Sequence, residues 1–186
     1  MTVPGDSWLE CSCGRRHWGR FGAAGLLLVR DVAAHDGAAH DLAARDGAAH
    51  DGAAHDGARR QVLLQHRALW SDQGGTWGVP GGALHEGEDP VRGALREAAE
   101  EAGVDPAGVQ VLSTHVLDHG PWRYTTVLGR VSGPQHPRPT DAESLAIAWV
   151  DEDAVADLPL LIAFGTAWPT LRAALGSEAG HRDAIL

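Results

Sequence analysis

Four glutamates and two glycines carry the chemistry available to this chain. Glu97, Glu100 and Glu101 stand three and four residues apart. On a helix that spacing gathers their carboxylates into a patch about 5–6 Å across at the Cβ atoms, where like charges repel. A hard divalent cation relieves such repulsion. Mg²⁺ takes one or two carboxylates and fills its remaining positions with water and substrate phosphate oxygens, and Mn²⁺ is the natural substitute. Glu88 just upstream, and Gly81 and Gly82, whose backbone carbonyls no side chain shields, complete the donor set. The chemistry of such a set is metal-assisted transfer of a phosphoryl or nucleotidyl group to water.

These groups need a helix to position them, and the sequence supplies its punctuation. Asp89 suits the N-cap, Pro90 the first turn, and Gly103 the stop after the last one. The predicted helix therefore runs from Pro90 to Ala102. Val91, Ala94, Leu95, Ala98 and Ala102 form a stripe of mostly small apolar residues on it that can pack closely on a sheet, while the glutamates occupy another arc. Taken alone, an acidic arc reads as a solvated helix face.

The spacing is more specific than that. Gly82, five residues, Glu88, seven residues, then Arg96-Glu97-Ala98-Ala99-Glu100-Glu101-Ala102-Gly103-Val104 resembles the Nudix box at every defining position. The resemblance to the Nudix hydrolase superfamily extends over 22–175 once a repeat described below is set aside. It implies an α/β fold, the Nudix α/β/α sandwich with a mixed β-sheet between helices. The implied activity is hydrolysis of a phosphoanhydride bond in a nucleoside diphosphate linked to another moiety. Glu97, Glu100 and Glu101 are then the principal metal ligands, with Glu88 and Gly82 secondary. The base is one of Glu97, Glu100 and Glu143, the last lying just ahead of a Trp149-Val150 strand as the family pattern has it. Arg96, four residues before Glu100, pairs with it or reaches back to Glu88, an orienting role. The segment Trp77-Gly-Val-Pro-Gly-Gly82 resembles the strand that leads into the box. With Gly81, Trp77 and Trp70 are candidate substrate contacts, Trp70 by stacking on a base and Trp77 chiefly as core support.

At 186 residues with 44% hydrophobic composition, the chain suits one domain with a sizeable core. A net charge of −10 argues against a nucleic-acid polymer or an anionic membrane as partner. The expected partner is a small nucleotide, acting on a monomer or homodimer. Met1 to Gly14 lacks the pattern of a signal peptide, and the longest aliphatic run, Ala23 to Val29, is far short of a span, so a cytoplasmic location is expected.

Residues 1–21 read as an N-terminal arm. There Cys11, Cys13 and His17 are candidate Zn²⁺ ligands, with His66, His115 or His119 as the fourth. Gly22 to Arg30 and Gln61 to Arg67 read as a strand and its hairpin partner. Between them, 31–60 repeats with a period of five (DVAAH, DGAAH, DLAAR, DGAAH, DGAAH, DGARR). Five matches neither helix nor strand, and the segment lacks apolar bulk, which predicts a disordered insertion. Gly108 to Asp118, Trp122 to Val131 and Leu145 to Val150 read as further strands, and Phe164 to Leu175 as a closing helix with Pro169 in its first turn. The 176–186 tail is expected to fray. A rival reading of the whole is a non-catalytic nucleotide-sensing module of the same fold; another is a zinc-dependent interaction protein built on the cysteine cluster.

Overall fold

The computed structural model describes residue 5, residues 7–33 and residues 59–180, the last three without their side chains. Residues 34–58, where most of the predicted insertion falls, lie outside the described residues.

Strand formation follows from burial. The run Leu26-Leu27-Leu28-Val29 in β3 (Ala23–Val32) is fully buried although successive side chains point to opposite sides of a sheet. The sheet must therefore be covered on both faces, and it is. Leu26 and Leu28 join Ala94, Ala98 and Ala102 of α1 (Pro90–Ala102) on one side. Leu27 and Val29 join Phe164, Trp168, Leu171 and Leu175 of α2 (Ile162–Gly180) on the other. Leu63 against Val62 and Leu64 in β4 (Arg59–Arg67), and Val127 against Leu128 in β8 (Arg123–Val131), divide between the same two cores. The result is the predicted sandwich, a mixed sheet between helices.

β3 is the axis of the sheet. It runs parallel to β8 from Ala23 to Val29 and antiparallel to β4 from Val29 to Val32. The β3–β4 pairing reaches Asp31↔Arg60 and Val32↔Arg59, so the first and last residues of the repeat are strand. At the other end of β3 two short strands take over. β5 (Trp77–Gly78) pairs with β4 and β6 (Gly81–Ala83) pairs with β3. β7 (Val109–Asp118) flanks β8, and β9 (Ser144–Asp151) runs along β4. A separate two-stranded hairpin, β1 (Trp8–Glu10) and β2 (Arg16–Trp18), forms within the N-terminal arm.

The C-terminal helix differs from expectation. α2 begins at Ile162 and continues to Gly180, so Pro169 lies inside it, where no N–H is available for the Gly165 carbonyl. Phe164 and Trp168, both buried, pack their rings on the sheet, and this outweighs the one backbone bond missing at Pro169. Among the described residues no helix is long and apolar enough to cross a membrane.

Candidate active site

The helix that carries the glutamates is built as its sequence punctuation requires. The Asp89 carboxylate accepts from the Val91 and Arg92 amides at 3.0 and 3.1 Å. At the far end Gly103 adopts φ 63°, and the Gly103 and Val104 amides donate to the Ala99 and Ala98 carbonyls. Val104 then tucks into the α1-side core.

The last carbonyls of α1 are satisfied from outside the helix, and this positions a second acidic segment. Arg138 N–H donates to Ala102 O at 2.9 Å, Thr140 N–H to Glu101 O at 3.2 Å, and the Thr140 hydroxyl to Glu100 O. The 138–140 segment, bound along the C-terminus of α1, thus leads directly into Asp141 and Glu143. Gln65, fully buried on β4, donates to Ser144 Oγ at 2.9 Å and anchors the same segment to the sheet. The backbone of Glu143 accepts from Ala68 N at 2.8 Å, tying this segment to the turn that carries Trp70.

The glutamates are arranged around Arg96. Its Nε and Nη2 donate to the two carboxylate oxygens of Glu88, each at 2.9 Å, and Nη1 donates to Glu97 at 2.6 Å and Glu100 at 3.1 Å. Nη2 also reaches Ala83 O at 3.1 Å. Both predicted partners of Arg96 are therefore engaged at once, with Glu97 as a third. The fork across Glu88, aided by the His85 amide, holds that carboxyl down to about 2. The Arg96 guanidinium is itself raised, chiefly by Glu88.

Repulsion among Glu88, Glu97 and Glu100 is thus already offset by a guanidinium. Among the described residues Glu101 has no such partner. Its side chain is buried and accepts from Gly81 N–H at 2.9 Å, yet burial pushes its pKa up to about 8, with Glu97, Asp141 and Glu143 adding to the rise. A buried acid ringed by acids is where a divalent cation would stabilise the ionised form most. Oxygen donors from Glu97, Glu100 and Glu101 suit Mg²⁺ or Mn²⁺. A Cβ on Gly82 would lie 2.6 Å from Glu97 Oε2, so any side chain there would displace that carboxylate.

Other sequence candidates fall into place unevenly. Trp70 is 70% exposed, as a stacking platform must be. Trp77 stacks on His66 with ring centroids 4.6 Å apart and packs against the α2-side core, so at least one of its faces is covered. Glu143 is exposed. Cys11, Cys13 and His17 lie together at the N-terminal hairpin. Sequence reasoning missed Asp141, which raises Glu101, and Tyr124, whose phenol is raised by burial and by Glu101. No local motif marks either; only the sheet register and the capping of α1 bring them near.

A stability experiment reads Glu101 directly. Its folded pKa lies above the ordinary 4.5, so the folded chain binds the extra proton between about pH 4.5 and 8, and stability falls as pH rises through that window. In chelator, the melting temperature should decline from pH 5 to pH 8, and Glu101→Gln should flatten the decline. An unchanged slope in the variant would locate the effect elsewhere.

Comparison with known proteins places this arrangement. The NUDIX domain family model matches residues 50–169. The chain is 44% identical over 175 residues to a "Nucleoside triphosphate pyrophosphatase/Nudix hydrolase fusion protein" of Bifidobacterium longum, a match covering 92% of this chain and 32% of the relative, so it spans about a third of that protein's length. It is 40% identical over 176 residues to the "Putative 8-oxo-dGTP diphosphatase 3" of Mycobacterium tuberculosis, covering 91% of this chain and 70% of the relative. The crystal structure of a Nudix hydrolase from M. smegmatis, RenU, superposes with a TM-score of 0.74 at 38% identity over 93% of this chain and 96% of the other. With the box glutamates, their glycine-lined loop and the two-faced sheet in one frame, the chain belongs to the Nudix hydrolase superfamily.

Proposed function

We propose that the chain is a Mg²⁺-dependent pyrophosphohydrolase that cleaves a phosphoanhydride bond in a nucleoside diphosphate linked to another moiety, with oxidised nucleoside triphosphates of the 8-oxo-dGTP kind as substrate class. The observation that carries the reading is that Arg96 Nη1 bridges Glu97 and Glu100 while Glu101 accepts from the Gly81 amide and the Glu97 carboxylate lies against Gly82. The substrate class is suggested by the name of the M. tuberculosis relative.

In this reading Glu97, Glu100 and Glu101 hold the cation, with Glu88 and the Gly82 carbonyl in support. Bound there, Mg²⁺ neutralises charge on phosphate oxygens and lowers the pKa of water. Arg96 keeps Glu97 and Glu100 in place, which limits the reorganisation needed when substrate arrives. A base removes the proton of the attacking water; of Glu97, Glu100 and Glu143, only Glu143 stands outside the Arg96 network and is exposed, so it can pass that proton to solvent. Trp70 supplies an aromatic face for the base. Stacking of that kind is worth about 1–3 kcal/mol, so Trp70→Ala should raise KM roughly 5- to 150-fold with kcat little changed, whereas unchanged kinetics would leave the indole without a substrate role.

The test is a panel of nucleoside triphosphates (oxidised and not), dinucleotides, nucleotide sugars and capped RNA, incubated with Mg²⁺ or Mn²⁺ while phosphate and pyrophosphate release are followed separately. Pyrophosphate released from 8-oxo-dGTP is expected. Tight binding of a nucleotide with no turnover of any compound would replace the enzyme by a sensing module.

A further inference from the structure

The N-terminal hairpin holds a cluster that the hydrolytic site does not use. Cys11, Cys13, His17 and His119 each offer one ligand atom, and all four atoms lie within 4.8 Å of one another. His17 Nε2 stands 3.2 Å from Cys13 Sγ and 3.0 Å from His119 Nδ1. The two cysteines are free. Of the three histidines the sequence left open, the fold selects His119. His66 is turned away, stacked on Trp77 and bonded to the Gly75 carbonyl, whereas His119 opens the tight turn between β7 and β8.

We propose that these four residues form a structural Zn²⁺ site that fastens the β1–β2 hairpin to the β7–β8 turn. Two sulfurs and two imidazole nitrogens are the donor set of closed, four-coordinate zinc sites. Zinc bonds of 2.0–2.3 Å in a tetrahedron separate neighbouring ligand atoms by about 3.3–3.8 Å, so the observed group needs only rotamer adjustment to close. Softness keeps this site distinct from the carboxylates of α1, whose oxygens prefer Mg²⁺.

The surroundings are those of a built site. Leu9 pairs with His17 across the hairpin, and the Cys11 amide donates to the Arg15 carbonyl at 3.0 Å, closing the turn that carries both thiols. The His17 ring stacks on Trp122, centroids 4.1 Å apart and planes 11° from parallel, and the Trp122 indole N–H donates to the Trp18 carbonyl at 3.0 Å. A two-stranded hairpin is marginal by itself. A cation shared with His119, 102 residues away from His17, converts metal affinity into docking free energy. The staple also bears on the hydrolytic loop, because the chain runs from the hairpin to Gly22, whose carbonyl accepts from the Leu84 amide at 3.0 Å next to β6.

The protein purified without chelator should contain about one zinc per chain by elemental analysis, and Cys11→Ser with Cys13→Ser should lower that content about tenfold or more. Stripped wild-type protein titrated with Co²⁺ should develop the intense visible bands of tetrahedral cobalt with thiolate-to-metal charge transfer, which a carboxylate site does not give. His119→Ala should weaken those bands and lower the melting temperature. Absence of zinc together with a weak, six-coordinate cobalt spectrum would overturn the proposal. Zinc undiminished in the double cysteine variant would also overturn it, by placing the metal on the carboxylates. If the variants do not fold, the wild-type cobalt spectrum decides alone.

Discussion

Glu100→Gln is expected to lower kcat/KM for Mg²⁺-dependent hydrolysis by about 10²–10³ while moving the melting temperature by no more than about 1–2 °C. The two halves of that expectation come from different features of the same residue. The Glu100 side chain is 60% exposed, and its hydrogen bond in the structure is to Arg96 Nη1 at 3.1 Å. An exposed helical pair four residues apart contributes only about 0.3–0.5 kcal/mol, and Arg96 keeps Glu88 and Glu97 when it is lost. The Glu100 backbone carbonyl, which accepts from the Thr140 hydroxyl, is untouched by the substitution. A carboxylate so exposed adds little to folding, so the expected loss of turnover comes from its proposed place among the ligands of the cation. Amide replaces carboxylate at nearly constant volume, leaving one negative charge fewer for the cation. Calorimetric titration with Mg²⁺ should show weakened affinity in step with the loss of turnover. Near-normal turnover would remove Glu100 from the ligand set. A collapse in melting temperature would mean that the loss reports on structure.

Glu101 behaves in the opposite sense, and the contrast shows what one sequence can reveal. The three- and four-residue spacing puts Glu97, Glu100 and Glu101 on one arc, but it says nothing of depth. In the folded chain Glu100 is exposed and Glu101 is only 6% exposed, although they are neighbours, because the next position round the helix turns toward β6 and the Gly81 amide. Depth depends on what covers the helix, and the cover comes from residues some twenty positions upstream and forty downstream.

The parts of the fold that were legible are those whose causes are local. Asp89, Pro90 and Gly103 bound α1 because caps act over three or four residues. The Leu26 to Val29 run identified a strand buried on both faces because the period of two leaves no other way to hide it. Where competing long-range packing decides, local reading misplaced the boundary. Pro169 marks a first turn by its own stereochemistry, yet Phe164 and Trp168 draw an earlier turn onto the sheet ahead of it. In the same way, Cys11, Cys13 and His17 are three visible members of a four-residue cluster, while the choice of His119 required the β7–β8 turn to arrive beside the hairpin.

Arg96→Ala should be the most destabilising single change in the site, costing about 2–4 kcal/mol and some 5–15 °C in melting temperature. Arg96 and its partners Glu88 and Glu97 are each less than a quarter exposed, so removing the guanidinium leaves two largely desolvated carboxylates facing each other and an orphaned Ala83 carbonyl. The acid side of the stability profile tests this assignment against a general loss of packing. The Glu88 carboxyl is held down to about 2 in the folded protein, so its contribution is present above the ordinary 4.5 and is lost as pH falls from there toward 2. Wild type should therefore lose stability on acidification through that window, while Arg96→Ala, already deprived of the pair, should lose less, and the two melting curves should converge. Arg96→Lys should fall between them, because an ammonium restores charge without the two-pronged geometry that spans Glu88 while reaching Glu97. Turnover should fall with the loss of carboxylate positioning and recover in part with lysine. A gap between wild type and Arg96→Ala that stayed constant from pH 7 to pH 3 would mean that Arg96 acts through its hydrocarbon stem, and the charge-centred account of this site would have to be abandoned.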